Sequence, residues 1–167
     1  MRPRHSAPLL LLLFLLSACA PVPAAAPASG PVMSTSDAEI RALTQRLFEG
    51  MRTADSALVR STFATGVRFA SIDASTTPST IKYEQPDAWL AAIATSGKRW
   101  DERLHDVQVR VDGGMAQVWA PYVFYVDDKL RHCGVDAIEL LRDAGGWKIT
   151  QLSDTRRRDG CRELPRR

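Results

Sequence analysis

Apolar positions recur along this chain with two different periods. Between Ile40 and Met51 the period is helical: Ile40, Leu43, Leu47 and Met51 form one stripe, and Phe48 widens it. Ser36-Asp37-Ala38-Glu39 reads as a capping box ahead of that stripe. Gly50 weakens the last turn, Thr53-Ala54-Asp55 breaks it, and Asp55 caps a short second helix carrying Leu58, Val59 and Phe63. Alternation from Val67 to Ile72 predicts a first strand, and polar Asp73 to Thr80, with Pro78, a loop. Pro86 suits the first turn of a third helix with Trp89, Leu90 and Ile93 on one side.

From Trp100 onward the period becomes two. Leu104–Val111, Met115–Val126, Leu130–Arg142 and Trp147–Arg156 predict four strands. Asp112-Gly113-Gly114, Asp127-Asp128-Lys129 and Asp143-Ala144-Gly145-Gly146 are the turns between them. Connections this short make the sheet antiparallel. Pro121, inside the second of these strands, requires a bulge or a bend.

The N-terminus changes the picture. Arg2 and Arg4 precede an apolar run from Leu9 to Leu16, too short for a bilayer core and followed by small residues. Leu16-Ser17-Ala18-Cys19 resembles a bacterial lipobox, which implies residues 1–18 as a signal peptide and Cys19 as the lipidated first residue. An ordinary secretory signal cleaved near Ala20 is the alternative. Residues 19–35, rich in Ala and Pro, read as a tether; 36–161 as one domain; 162–167 as a basic tail. Ala20 carries no acidic retention signal, so the expected address is the periplasmic face of the outer membrane.

Loss of Arg2 and Arg4 lowers the net charge from +3 to +1, which leaves no basic surplus to suggest nucleic acid. Arg156-Arg157-Arg158 reads as a solvated cluster or as a weak contact for anionic lipid head groups. With Cys19 lipidated, Cys133 and Cys161 form an even pair in a disulfide-permissive compartment. A bridge would close a loop of about 30 residues; a buried free Cys133 is the alternative. No metal-ligand spacing or cofactor motif is visible.

The order helix, helix, strand, helix, then four meandering strands is α+β. Over Ser36–Arg158, with His132-Cys133-Gly134-Val135-Asp136, Gly146-Trp147-Lys148-Ile149 and Asp154-Thr155-Arg156-Arg157, the chain resembles small bacterial envelope members of the nuclear-transport-factor-2-like superfamily. These include lumazine-binding-like and SnoaL-like proteins. The resemblance implies a cone-shaped curved antiparallel sheet wrapped around the N-terminal helix. Isomerases, cyclases, dehydratases and plain binding or dimerisation modules share that fold, so fold does not give function.

Taking Asp128-Lys129 as a two-residue turn sets Tyr125 opposite His132, Trp119 opposite Ile138 and Asp136 opposite Ser153. The expected pocket lining is then Trp119, Tyr125, His132, Asp136, Ile138, Ser153 and Thr155. Asp136 and His132 are the nearest candidates for a base, although no catalytic motif aligns. Four residues of strand, about 13 Å, would keep them from forming a dyad. Asp136 pairing with Arg156 is the structural alternative. The expected function is a lipid-tethered domain holding a small apolar or aromatic ligand or a partner. An isomerase, cyclase or dehydratase, and a structural homodimer, are the alternatives.

Overall fold

The computed structural model describes residues 34–165. The predicted signal peptide, Cys19 and nearly all of the tether lie outside them. Three helices and seven strands follow: α1 (Thr35–Arg52), α2 (Ser56–Ser61), β1 (Phe63–Asp73), β2 (Thr80–Glu84), α3 (Pro86–Thr95), β3 (Trp100–Leu104), β4 (Gln108–Asp112), β5 (Met115–Val126), β6 (Lys129–Asp143) and β7 (Gly146–Arg156).

The cap of α1 is Ser34, whose Oγ accepts from the Asp37 N–H at 3.1 Å. The helix therefore starts two residues before the predicted capping box, and Asp37 faces its N-terminal dipole. Asp55 caps α2 as expected, accepting from the Leu58 N–H at 2.8 Å. Phe63 belongs to β1 rather than to α2. Gly50 is where α1 and α2 approach: a Cβ there would lie 2.6 Å from Val59 Cγ2.

The sheet is curved and open, in the order β2-β1-β7-β6-β5-β3, with β4 also on β5. The last three predicted strands pair antiparallel as expected. The predicted strand Leu104–Val111 is instead interrupted at residues 105–107, its ends falling in β3 and β4, which both pair with β5, while β1 joins β7 in parallel and β2 adds an edge. β2 left no alternation to read because both its faces are largely exposed, Tyr83 at 78%. Pro121 needs no bulge. Its carbonyl accepts from the His105 N–H at 2.9 Å, and a strand residue's N and C=O face the same neighbour. The missing donor thus points at the interruption between β4 and β3.

The stripe Ile40, Leu43, Leu47 and Met51 lies against the concave face, with Val118, Ala120, Ile138, Leu140 and Ile149 beneath it. Two register shifts decide which other side chains share that face. Asp127 and Asp128 are the two central turn residues, both at positive φ (51° and 63°), so Lys129 pairs with Val126. Tyr125 then meets Leu130, Arg131 bulges, and Phe124 meets His132. The predicted register was one residue out, which turned every β5 side chain to the wrong face. Leu140 pairs with Ile149, but a further shift beyond Glu139 sets Asp136 opposite Asp154, not Ser153.

The convex face carries a smaller cluster of Val123, Tyr125 and Cys133 with Cys161 and Leu164. A Cys133–Cys161 disulfide closes it. Buried Arg103 donates to Asp101 Oδ2 (2.7 Å) and to the carbonyls of Leu164 (2.9 Å) and Pro165 (3.1 Å), with its guanidinium 3.9 Å from the Tyr125 ring centre. Leu164 and Pro165, which composition assigned to a solvated tail, are docked by these bonds.

Candidate functional site

Between the concave face and the helices the apolar stripe runs out, leaving a cavity of about 560 Å³. Its walls are aromatic. Phe48 of α1, Phe69 of β1, Trp89 of α3, Trp100 of β3 and Phe124 of β5 contribute to them. Trp89 meets Phe69 edge-on at 5.2 Å, and Trp100 meets Phe124 edge-on at 6.1 Å, so the walls hold each other. That volume lies within the range of small-molecule sites.

Polar groups converge in the cavity wall. Asp136, 1% exposed, and Asp154, 7% exposed, are direct cross-strand partners, and Glu102 reaches them from β3. Like charges so placed repel. Asp154 is neutralised by Arg156, which donates to it at 2.7 and 3.2 Å and also pairs with Glu84 at 3.2 Å. The buried Tyr122 hydroxyl lies 3.1 Å from Asp154 Oδ2 and 3.0 Å from the Thr155 carbonyl. Gly134 makes room for this, since a Cβ there would lie 1.7 Å from the Thr155 carbonyl oxygen and 3.0 Å from the Tyr122 ring.

Among the described residues no cation is ion-paired with Glu102 or Asp136, and Arg156, which acts on both, is paired with Asp154 and Glu84. Among the described residues no N–H or O–H donor reaches Asp136 Oδ2. Its polar neighbour is the Glu102 carboxyl, and two carboxyl groups bond only when one carries a proton. Burial raises both, assisted for Asp136 by the Glu102 charge; Glu102 is pushed up to about 7 and Asp136 well above its ordinary value. The pair therefore holds two protons in the acidic range and shares the one that remains once Glu102 ionises near 7. Burial, then the Glu102 and Asp154 charges, push the Tyr122 phenol up, so it stays neutral. Burial, then Arg156, Arg158 and Arg131, hold His132 down at about 4.

Of the predicted lining, His132 and Asp136 face the cavity, and Ile138 is buried in the core beneath α1. The other four are corrected by the register. Trp119 lies on the outer face, 47% exposed, and Tyr125 belongs to the convex cluster. Ser153 and Thr155 alternate away from Leu152, Asp154 and Arg156, which do line the cavity. Arg156 takes Asp154, not Asp136. Glu102, Tyr122, Asp154 and Arg156 were missed. The available signal was a charge in the apolar phase of a strand: Glu102 between Trp100 and Leu104, Asp154 two residues after Leu152. Among the described residues no group of three His, Cys, Asp or Glu side chains is arranged to hold a metal ion.

No family model matches the chain, and no curated protein does. Solved structures do. An NTF2-like protein from Cytophaga hutchinsonii superposes with a TM-score of 0.61 at 13% identity, over 75% of this chain and 100% of that one. The fold is nuclear-transport-factor-2-like. An NTF2-like protein with a cystatin-like fold from Novosphingobium aromaticivorans gives 0.57 at 16% identity, over 75% of this chain and 84% of that one. A putative dehydratase from the NTF2-like family of Streptomyces avermitilis gives 0.56 at 16% identity, covering 72% and 94%. Identities this low establish the NTF2-like architecture alone.

Proposed function

We propose that this NTF2-like domain is a small-molecule binding protein, tethered to the bacterial envelope through Cys19. Its ligand has a flat, mostly apolar body and one neutral O–H or N–H donor. The observation that carries the reading is Asp136 Oδ2, buried without a donor in the wall of an aromatic-lined cavity. An unmet buried polar group is costly, and a ligand that satisfies it recovers that cost. Titration with flat phenols such as 2-naphthol, whose O–H can donate to Asp136 Oδ2, read by quenching of Trp89 and Trp100, should saturate at one per chain. Leu152→Trp, which fills the cavity, should weaken binding about tenfold or more. No saturable binding to any such probe would overturn the reading. Cys19→Ser should move the protein from the membrane to the soluble fraction.

A second reading rests on Glu102. A carboxyl poised at about 7 can give and retake a proton at neutral pH, as an isomerase, cyclase or dehydratase requires. Deuterium exchange at the α-carbon of bound ketones would report it. Glu102→Gln and Asp136→Asn should each slow that exchange by about 10²-fold or more if these groups transfer the proton. The outer face offers a third, dimeric, role, since it exposes Met115, Trp119 and Leu141. A monomeric gel-filtration profile would exclude it.

A further inference from the structure

The cavity has polar groups of opposite sign. Asp136 and Asp154 are buried in its wall, whereas Lys98 and Arg131 of the same lining are exposed, and the Glu84 carboxylate there is paired with Arg156. Successive residues of a regular strand face opposite ways, yet Arg131 and His132 both line the cavity. The β6 bulge at Arg131 makes that possible, and re-aiming a side chain is what bulges do beside functional sites. Next to the mouth lies a second hollow of about 420 Å³, which shares His132 and Arg156 and adds Lys82, Arg157 and Arg158. Its one carboxylate, Asp73, is occupied by the backbone N–H and hydroxyl of Ser75.

Two observations separate this rim from a solvated cluster. The first is fixation. Arg157 exchanges backbone hydrogen bonds with Cys133 at 3.0 and 2.9 Å, and the Cys133–Cys161 disulfide closes the segment that follows. The guanidinium groups of Arg157 and Arg158 are thus carried on anchored backbone. The second is the absence of a contact ion pair, although the Asp73 carboxylate, held by Ser75, lies in the field of Arg158 and Arg156. Arg156 is ion-paired, but among the described residues no carboxylate lies within ion-pair distance of Arg131, Arg157 or Arg158. The low value at His132, caused in part by Arg156, Arg158 and Arg131, records the same positive surroundings.

We infer that the site takes an amphiphilic organic anion, its apolar body in the cone and its carboxylate, sulfonate or phosphate on Arg131, Arg157 and Arg158. The inference rests on the binding reading above and narrows its ligand class. A free anion and the head group of an anionic lipid present the same chemistry to these arginines.

Two probes with one ring system test it: 1-anilinonaphthalene-8-sulfonate, and N-phenyl-1-naphthylamine, which lacks the sulfonate. With the purified protein at low salt the sulfonate should bind about tenfold more tightly. Salt at about 0.5 M should shrink that preference. Arg157→Gln/Arg158→Gln, and separately Arg131→Gln, should bring the two affinities towards parity while the neutral probe changes by less than about twofold. These arginines are exposed, and unchanged neutral-probe binding shows that each variant is folded. Equal affinities in the wild type, or a preference that survives both variants, would overturn the inference. Failure of both probes to bind would instead overturn the binding reading itself. Displacement of the sulfonate by phosphatidylglycerol vesicles supports the inference with a lipid as the source. Retention of the sulfonate, with the preference intact, supports it with a free anion.

Discussion

Asp101 and Glu102 are consecutive residues of β3, and the strand turns them to opposite faces. On the convex face Asp101 meets Arg103, which also holds two backbone carbonyls and covers the Tyr125 ring. On the concave face Glu102 meets another carboxyl, and Arg156, whose charge it feels, is already committed to Asp154 and Glu84. Both sites remove charge from water. One is closed by a cation, and the other is left with a shared proton and an open volume beside it. A satisfied buried pair explains a docked C-terminus, whereas an unsatisfied one facing a cavity points to a ligand.

The largest effect expected from this contrast is at Arg103. Arg103→Met keeps much of the volume but strands Asp101, so unfolding free energy should fall by about 3–5 kcal/mol in a denaturant titration. A loss below about 1 kcal/mol would mean that Asp101 is hydrated and the two faces are alike. Next comes the staple on the same face. Cys133→Ser/Cys161→Ser should cost about 3 kcal/mol, since the bridge spans 28 residues, and should free residues 157–165 to rapid hydrogen exchange.

The smallest effect carries the opposite sign. Glu102 has a folded value near 7, above its ordinary 4.5, so the folded state holds a proton that the unfolded chain has released. Its contribution is therefore full below about 4.5 and is lost as pH rises towards 7. Burial drives this shift, and burial with the Glu102 charge likewise holds Asp136 well above its ordinary value, a protonation cost that Asp136→Asn removes. The variant should change stability little at pH 5 and raise it by about 1 kcal/mol at pH 8, measured by melting at both values. His132 works in the other direction. Its depressed value makes stability fall as pH drops from about 6.5 towards 4, so His132→Phe should steepen the decline of stability with rising pH between those values.

Much of the architecture was legible because it depends on period. Ile40, Leu43, Leu47 and Met51 repeat at helical spacing and are buried, and the turns at Gly113-Gly114 and Ala144-Gly145 fall where the sequence placed them. The site was less legible because it depends on phase. Alternation reads the same on either side of a bulge, so the shifts at Arg131 and beyond Glu139 left no trace in it. The Asp127-Asp128 pair was the better turn signal, since aspartate tolerates positive φ more readily than lysine. Once register is set, Glu102, Tyr122, Asp136 and Asp154 converge without further information. β2 could not have been found by alternation, because neither of its faces enters the core.

The shared proton between Glu102 and Asp136 can be observed by carbon-13 NMR of the side-chain carboxyl groups across a pH titration, with Glu102→Gln and Asp136→Asn for assignment. One step should occur near 7 and vanish in Glu102→Gln, reported as a property of the pair. Titration of every carboxyl below about 5 would show that neither group holds a proton at neutral pH, and the contrast between the two faces of β3 would be lost.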